Sequence, residues 1–300
     1  MTDSSSKPQQ PKLKFIPTAA TFELKEPLGV GTVGTVYRAE TTDIDQPVAV
    51  KLLHSAIAHD PEIVDRFQRE ITIMERLDHP HIVQNYGGGM IDGHYFYAMQ
   101  LLTHGTLKDR LRQQGPLRWE QVAAFGAQIA SALQHAHNFG IIHRDLKPCN
   151  LFSDGQGRLV LGDFGIARDI HDEETMAEGT TVGTYAYMSP EQICADQDLT
   201  GKADLYSLGC VLYEMLTGKP PFVGSNYAQI WDQHLHSAPR GLRDSGVDCP
   251  EWLETIILQL LEKDPQQRPF NARAVQGYLK DHLEDEAGPD VSAPTADAID

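Results

Sequence analysis

"LGVGTVGTVYRAE", residues 28–40, matches G-x-G-x-x-G at Gly29, Gly31 and Gly34, and two folds compete for it. In a dinucleotide-binding turn the third glycine opens a helix. Here the residues after Gly34 are Thr35, Val36, Tyr37 and Arg38, alternating and rich in β-branched side chains, which predicts a second strand instead. The stretch therefore reads as a glycine hairpin, whose bare backbone N–H groups can close over phosphate oxygens because no side chain stands in the way.

Outward from the hairpin, residues 22–53 continue as strands, with "PVAVKLL" (47–53) after a "DIDQP" turn. The period then changes. "HDPEIVDRFQREITIMERL" (59–77) starts on Asp60-Pro61 and spaces Ile63, Phe67, Ile71 and Met74 by four, four and three, a helix with one apolar stripe. Residues 82–102 return to strand character. From Leu107 onward helices dominate: 119–140 stops at Gly140, 203–218 stops at Gly218, and "EWLETIILQLLEKDP" stops at Pro265. A strand-rich part followed by a helix-rich part predicts an α+β chain in two lobes with a ligand cleft between them.

Bulk properties narrow the function. The 300 residues are 41% hydrophobic and carry a net charge of −17, of which seven acids lie in residues 281–300. An acidic chain of this kind repels nucleic-acid phosphates and anionic lipids. Four cysteines without a C-x-x-C pair fit neither a disulfide framework nor a zinc site, and predict a reducing, cytoplasmic setting. No signal-like segment and no uninterrupted apolar run of membrane length occurs, which predicts no membrane insertion.

The chemistry is concentrated in few places. Lys51 ends the apolar strand "VAVK", and Glu70 shares the inward stripe of the first helix, so each is the natural partner of the other. "IIHRDLKPCN" (141–150) packs four charged or titratable groups behind two isoleucines and is followed by "DFG" at 163–165. Asp145, Asn150 and Asp163 thus offer three oxygen-bearing side chains on two loops, with Lys147 among them. Hard oxygens suit Mg2+, which keeps few protein carboxylates and shares phosphate oxygens. Asn150 and Asp163 suit the metal, and Asp145 is left for a nucleophile's proton.

In this order "GVGTVG", "VAVK", Glu70, "HRDLKPCN", "DFG" and "SPE" resemble the eukaryotic-like protein kinases over roughly residues 22–283, and "MSPEQ" with Tyr206 in "DLYSLG" is most similar to the bacterial serine/threonine branch. The resemblance implies a bilobal kinase fold: a β-rich N-lobe with one helix (21–101) and a larger helical C-lobe (102–283), between disordered ends (1–20, 284–300). It implies ATP and Mg2+, with Mn2+ able to substitute, and transfer of the γ-phosphoryl group to serine or threonine hydroxyls of protein substrates. Lys51 would contact the α- and β-phosphates with Glu70 as anchor. Asp145 would be the base, Lys147 would approach the transferred group, and Thr184 would support the acceptor loop. Gly29, Val30, Gly31, Thr32, Val33, Gly34, Val36, Ala49, Met99 as gatekeeper, Gln100 to Leu102 as hinge, and Phe152 would surround the nucleotide. Ser189 replaces the usual alanine, Thr106 replaces an acid set against the ribose in some members, and Glu191 resembles the buried partner of Arg268.

The stretch "IHDEETMAEGTTV" (170–182) is acidic, and Arg144 is a cation that a phosphate there could engage. Thr180 is the first candidate for activating phosphorylation, with Thr175 and Thr181 after it. A transient homodimer would serve autophosphorylation, and the missing sensor domain implies input from a partner protein. His143 is expected to pack structurally beneath its loop near Phe164, and Cys149 could sense oxidation only if its thiol pKa were lowered. A pseudokinase scaffold and a small-molecule phosphotransferase are the rival readings. The first would lack one of the five chemical groups, and the second would lack "GTYAYMSPE".

Overall fold

The computed structural model describes residues 22–31, 33–41, 44–91, 93–163, 182–196 and 198–287, with the backbone alone at Ile44, Asp45, Arg66, Glu70, Ile91, Val182, Thr184 and Ala287. Two compact units emerge, one within residues 1–75 and 84–101, the other formed by 76–83 and 102 onward.

The first unit is an antiparallel sheet of five strands in the order β1-β2-β3-β5-β4. The strands are β1 (Phe22–Val30), β2 (Gly34–Thr41), β3 (Ile44–Leu53), β4 (Asn85–Ile91) and β5 (His94–Gln100). The glycine pattern is the turn of the β1–β2 hairpin, with Gly31 N–H donating to Gly34 O at 2.9 Å. β3 starts earlier than the "DIDQP" turn allows: Thr41 already faces Ile44 in the β2–β3 ladder. Backbone pairing with β2 overrides the turn propensity of those residues.

Alternation along β3 sends Val48 and Val50 to a cluster with Ala39, Tyr86, Phe96 and Ala98, and sends Leu53 to the other face with Phe67 and Tyr97. Helix α1 (Pro61–Met74) covers that second face. It begins where the sequence says it should, because Asp60 accepts from Glu62 N–H at 2.9 Å and Pro61 occupies the first turn. Phe67, 1% exposed, packs on Tyr97 at 5.4 Å between ring centroids. Burying such a ring contributes about 2–3 kcal/mol.

The second unit contains α2 (Leu107–Gln114), α3 (Trp119–Asn138), the short hairpin β6 (Leu151–Ser153) and β7 (Leu159–Leu161), α4 (Pro190–Ile193), α5 (Lys202–Thr217), α6 (Tyr227–His236), α7 (Glu251–Leu260) and α8 (Ala272–Ala287). Arg76–Val83, on the N-terminal side of the expected boundary at 101/102, belongs here: Val83 N–H donates to Leu161 O and Leu161 N–H to His81 O, both at 2.9 Å. α5 is apolar on nearly every side and buried along its length, so it is the axis of the unit, with α3 and α7 against it. Gly218, at φ 76°, ends it as read from the sequence.

α7 ends at Leu260, short of the expected stop at Pro265. Beyond its end the guanidinium of Arg268 takes the carbonyls of Glu262 at 2.8 Å and Lys263 at 3.0 Å, which no helical N–H serves.

Candidate functional site

The loop 141–150 follows α3 directly, and the cost of its charges is met locally. Lys147 Nζ lies 3.0 Å from Asp145 Oδ1 and 2.8 Å from Oδ2. Asn150 Nδ2 donates to Asp145 O at 2.8 Å and to Oδ2 at 3.1 Å. A carboxyl group held by an ammonium and an amide is fixed in direction. Because Asn150 commits its nitrogen to Asp145, its carbonyl oxygen is the end left to accept or coordinate. Its backbone carbonyl receives Gly162 N–H at 2.9 Å, tying the loop to the residue that precedes Asp163.

His143 is fully buried. Its Nδ1 accepts from Asp145 N–H at 3.3 Å, so Nε2 carries the proton and donates to Gly162 O at 3.1 Å. The structural role read from the sequence is what these contacts describe, while Phe164 lies outside the described residues. Arg144 and Asp163 both adopt the left-handed region, at φ 65° and 47°, which side chains other than glycine rarely occupy without support.

For Arg144 that support comes from Asp204 at the start of α5, whose role the sequence did not reveal. Oδ1 accepts Arg144 N–H at 2.9 Å, while Oδ2 accepts His143 N–H at 2.8 Å and His137 Nε2 at 2.7 Å. Burial alone would raise the Asp204 pKa, but the His137 hydrogen bond and the nearby histidines outweigh it and hold the carboxyl below its usual range. A second support enters from α4. Ser189 and Gln192 form a reciprocal cap, and Gln192 Nε2 donates to Arg144 O at 2.9 Å. The replacement of alanine by Ser189 thus supplies an N-cap. Glu191 meets Arg268 in a bidentate pair at 2.6 and 2.8 Å, as the resemblance implied.

Other candidates fall as follows. Lys51 sits on β3 opposite Val36 and Tyr97, its Nζ 5.4 Å from the Tyr97 ring centroid. Glu70 is on α1, its side chain outside the described positions. On the sheet, Ala49 pairs with Met99 and Gln100 with Val48, and Gly29 pairs with Val36. Val30 is exposed and Val33 half-buried, Leu102 opens the second unit, and Thr32 lies outside the described residues.

Thr106 is the N-cap of α2 in a capping box with Asp109, which commits its hydroxyl locally. Phe152 pairs with Val160 on the β6–β7 hairpin and lies beside Gly162, where an added Cβ would come within 2.9 Å of its ring. Thr184 belongs to the 3-10 segment Val182–Tyr187 by its backbone, and Thr175, Thr180 and Thr181 lie outside the described residues. Burial pushes the Cys149 thiol up, the wrong direction for a reactive thiolate.

Residues 22–278 match the protein kinase domain family, and the chain belongs to that family. It is 36% identical over 255 residues to the serine/threonine-protein kinase PknJ of Mycobacterium tuberculosis, covering 83% of this chain and 43% of that protein. Against PrkC of Bacillus subtilis, also a serine/threonine-protein kinase, identity is 35% over 259 residues, covering 86% of this chain and 40% of that one. The chain thus spans about two fifths of these relatives. A solved structure of Rad53 residues 1–466 in complex with AMP-PNP is similar at a TM-score of 0.71 and 28% identity, over 86% of this chain and 64% of that chain.

Proposed function

We propose that the chain is a Mg2+- and ATP-dependent protein serine/threonine kinase, and the observation that carries this is the Asp145 carboxyl held in place by Lys147 and Asn150. Asp145 orients the acceptor hydroxyl and takes its proton as the oxygen bonds to the γ-phosphorus and ADP departs. Lys147, already at Asp145, is placed to follow the transferred group. Lys51, anchored by Glu70, contacts the α- and β-phosphates, and the backbone from Gly29 to Gly34 covers them. Open space where a Cβ atom would stand at Gly29 agrees with a role in admitting a ligand.

The donor set fits magnesium: a carboxylate at Asp163 and an amide oxygen at Asn150, with no cluster of three or more histidine, cysteine or acidic groups among the described residues that would suggest a softer metal. Bound there, the ion would neutralise phosphate charge. Mn2+ would substitute by the same oxygen chemistry.

Val36, Ala49, Met99, Gln100, Leu102 and Phe152 would line the adenine, and Thr184 would support the acceptor loop. Phosphorylation at Thr180, with Thr181 or Thr175 in reserve, would switch the enzyme on through Arg144, with a transient homodimer as the route. Among the described residues no helix is long and apolar enough to cross a membrane. A cytoplasmic site of action fits the acidic charge and the unpaired cysteines. Titrating ATP binding with Mg2+ tests the reading. Wild type should bind ATP tighter as Mg2+ rises and Asp163→Ala should not; equal Mg2+ response in both would count against it.

A further inference from the structure

A groove of about 1080 Å³ opens in the second unit, built from residues other than those of the 141–150 loop. One wall is the turn between α2 and α3, with Pro116 and the half-buried Trp119. The facing wall is the chain that leaves α5, with Pro220, Pro221 and Val223, the last 58% exposed. The floor is pinned: Leu117 N–H donates to Met215 O at 2.7 Å, and Tyr213 Oη donates to Arg240 O at 3.2 Å. A groove of this volume, above the usual range for small-molecule pockets and walled by prolines and an indole, suits a short extended peptide.

Its charges say which peptide. Arg118, Lys219 and Arg240 line it, against Glu120 and Asp248. Arg118 shares its charge with Glu120 at 3.8 Å, whereas Lys219 and Arg240 have no ion-pair partner among the described residues. Two uncommitted cations beside an apolar wall call for a segment that carries acids between small apolar residues.

The end of α8 leads there. Arg273 N–H donates to Gln134 Oε1 at 2.9 Å, and Leu279 lies against Gly126. His282 packs at 4.9 Å on Trp252, which meets Trp119 at 6.0 Å. As α8 advances, its contacts along α3 step back from 134 to 126 and then, through Trp252, to 119. The two helices are therefore antiparallel, and α8 ends beside the start of α3. Ala287, the last residue of α8, is about 7.5 Å past His282 along the axis. The thirteen residues that follow, "GPDVSAPTADAID", span up to about 43 Å when extended, against a gap to Trp119 on the order of 20 Å. They carry Asp290, Asp297 and Asp300 and no cation, with Pro289, Val291 and Pro294 among them. Prolines reduce the conformational freedom that a segment loses on docking.

We propose that residues 288–300 fold back into this groove, with Pro289, Val291 and Pro294 against the proline and Trp119 walls and the Asp290 and Asp297 carboxylates facing Lys219 and Arg240. The segment would act as a strap from the end of α8 to the exit of α5, independently of the catalytic assignment.

The test uses the full chain carrying Val291→p-benzoylphenylalanine, irradiated at low concentration, with crosslinks mapped by mass spectrometry and those between copies separated by gel mobility. Crosslinks should fall within one chain, in residues 116–120 or 219–223. Lys219→Glu with Arg240→Glu, both at exposed positions and checked by thermal melting, should cut the yield there roughly three- to tenfold. Adding Asp290→Lys and Asp297→Lys to that pair should restore it. Should the groove pair not fold, Asp290→Lys with Asp297→Lys alone should show the same fall. No crosslink, crosslinks spread over other faces or formed chiefly between copies, a groove yield indifferent to charge reversal, or no restoration by the second reversal overturns the proposal.

Discussion

On the Asp204 carboxylate three hydrogen bonds converge, two of them from the backbone of the loop that carries Asp145. Replacing it by asparagine keeps the volume but gives one end of the group a donor where acceptors are needed. Asp204→Asn should lose about 1–3 kcal/mol of stability, read by urea denaturation. Release of Arg144 from φ 65° should also move Asp145, and a 1 Å displacement costs roughly a hundredfold in rate. Stability and rate both at wild-type level would show that the loop holds its conformation without this support.

The glycines of the hairpin separate by the same kind of reasoning. A Cβ on Gly34 would stand 2.3 Å from Leu52 O on the neighbouring strand, whereas at Gly29 nothing lies within 4 Å. Gly34→Ala should therefore lower the melting temperature and Gly29→Ala should not, although Gly29→Ala should weaken ATP binding if that space receives phosphate. Equal melting temperatures for the two variants would contradict the packing account. The sequence showed both glycines in one motif but could not show that one answers to a neighbouring strand and the other to open space. Asp204 was hidden for the same reason: its partners lie about 60 residues away, and no local pattern marks that distance.

Elements were more legible than contacts. α1 and α5 start or stop at Asp60 and Gly218 because a cap and a left-handed glycine act within a few residues. The end of α7 was misread because Pro265 marks only where a helix must already have stopped, and the chain leaves the helix at Leu260 before reaching it. At the crossing of α3, α5 and α8 a Cβ on Gly126 would come within 2.9 Å of Leu279 Cδ1 and 3.1 Å of Leu212 Cδ2. An alanine there can push aside two leucine tips, but a larger side chain must separate helices. Gly126→Leu should cost about 1–3 kcal/mol, seen as a lower melting temperature with secondary structure intact by circular dichroism. An unchanged melting temperature would mean the crossing is looser than these distances imply.

Across the whole molecule, one buried and one half-buried histidine contribute to the response to acid. Burial first, then the neighbouring His81 and His135, lower the His79 pKa to about 4, and burial with Lys263 lowers that of His234 to about 3. The unfolded chain takes up these protons near pH 6.5, before the folded one does, so this stabilisation is complete above about pH 6.5 and is lost as pH falls toward 4 and then 3. Urea midpoints should decline below pH 6.5 by at most about 1.4 kcal/mol per pH unit for each histidine, less for the half-exposed His79. His79→Gln should flatten the upper part of that decline, and a midpoint independent of pH between 6.5 and 4.5 would contradict it.

The supports of the 141–150 loop converge on the Asp145 carboxyl. The most direct measurement is transfer of labelled γ-phosphate to casein in the presence of Mg2+, followed by phosphoamino-acid analysis, for wild type and Asp145→Asn. The account predicts phosphoserine or phosphothreonine with wild type and a rate lower by about 10²- to 10⁴-fold with Asp145→Asn; a folded wild type that transfers nothing, or an Asp145→Asn protein as active as wild type, would contradict it.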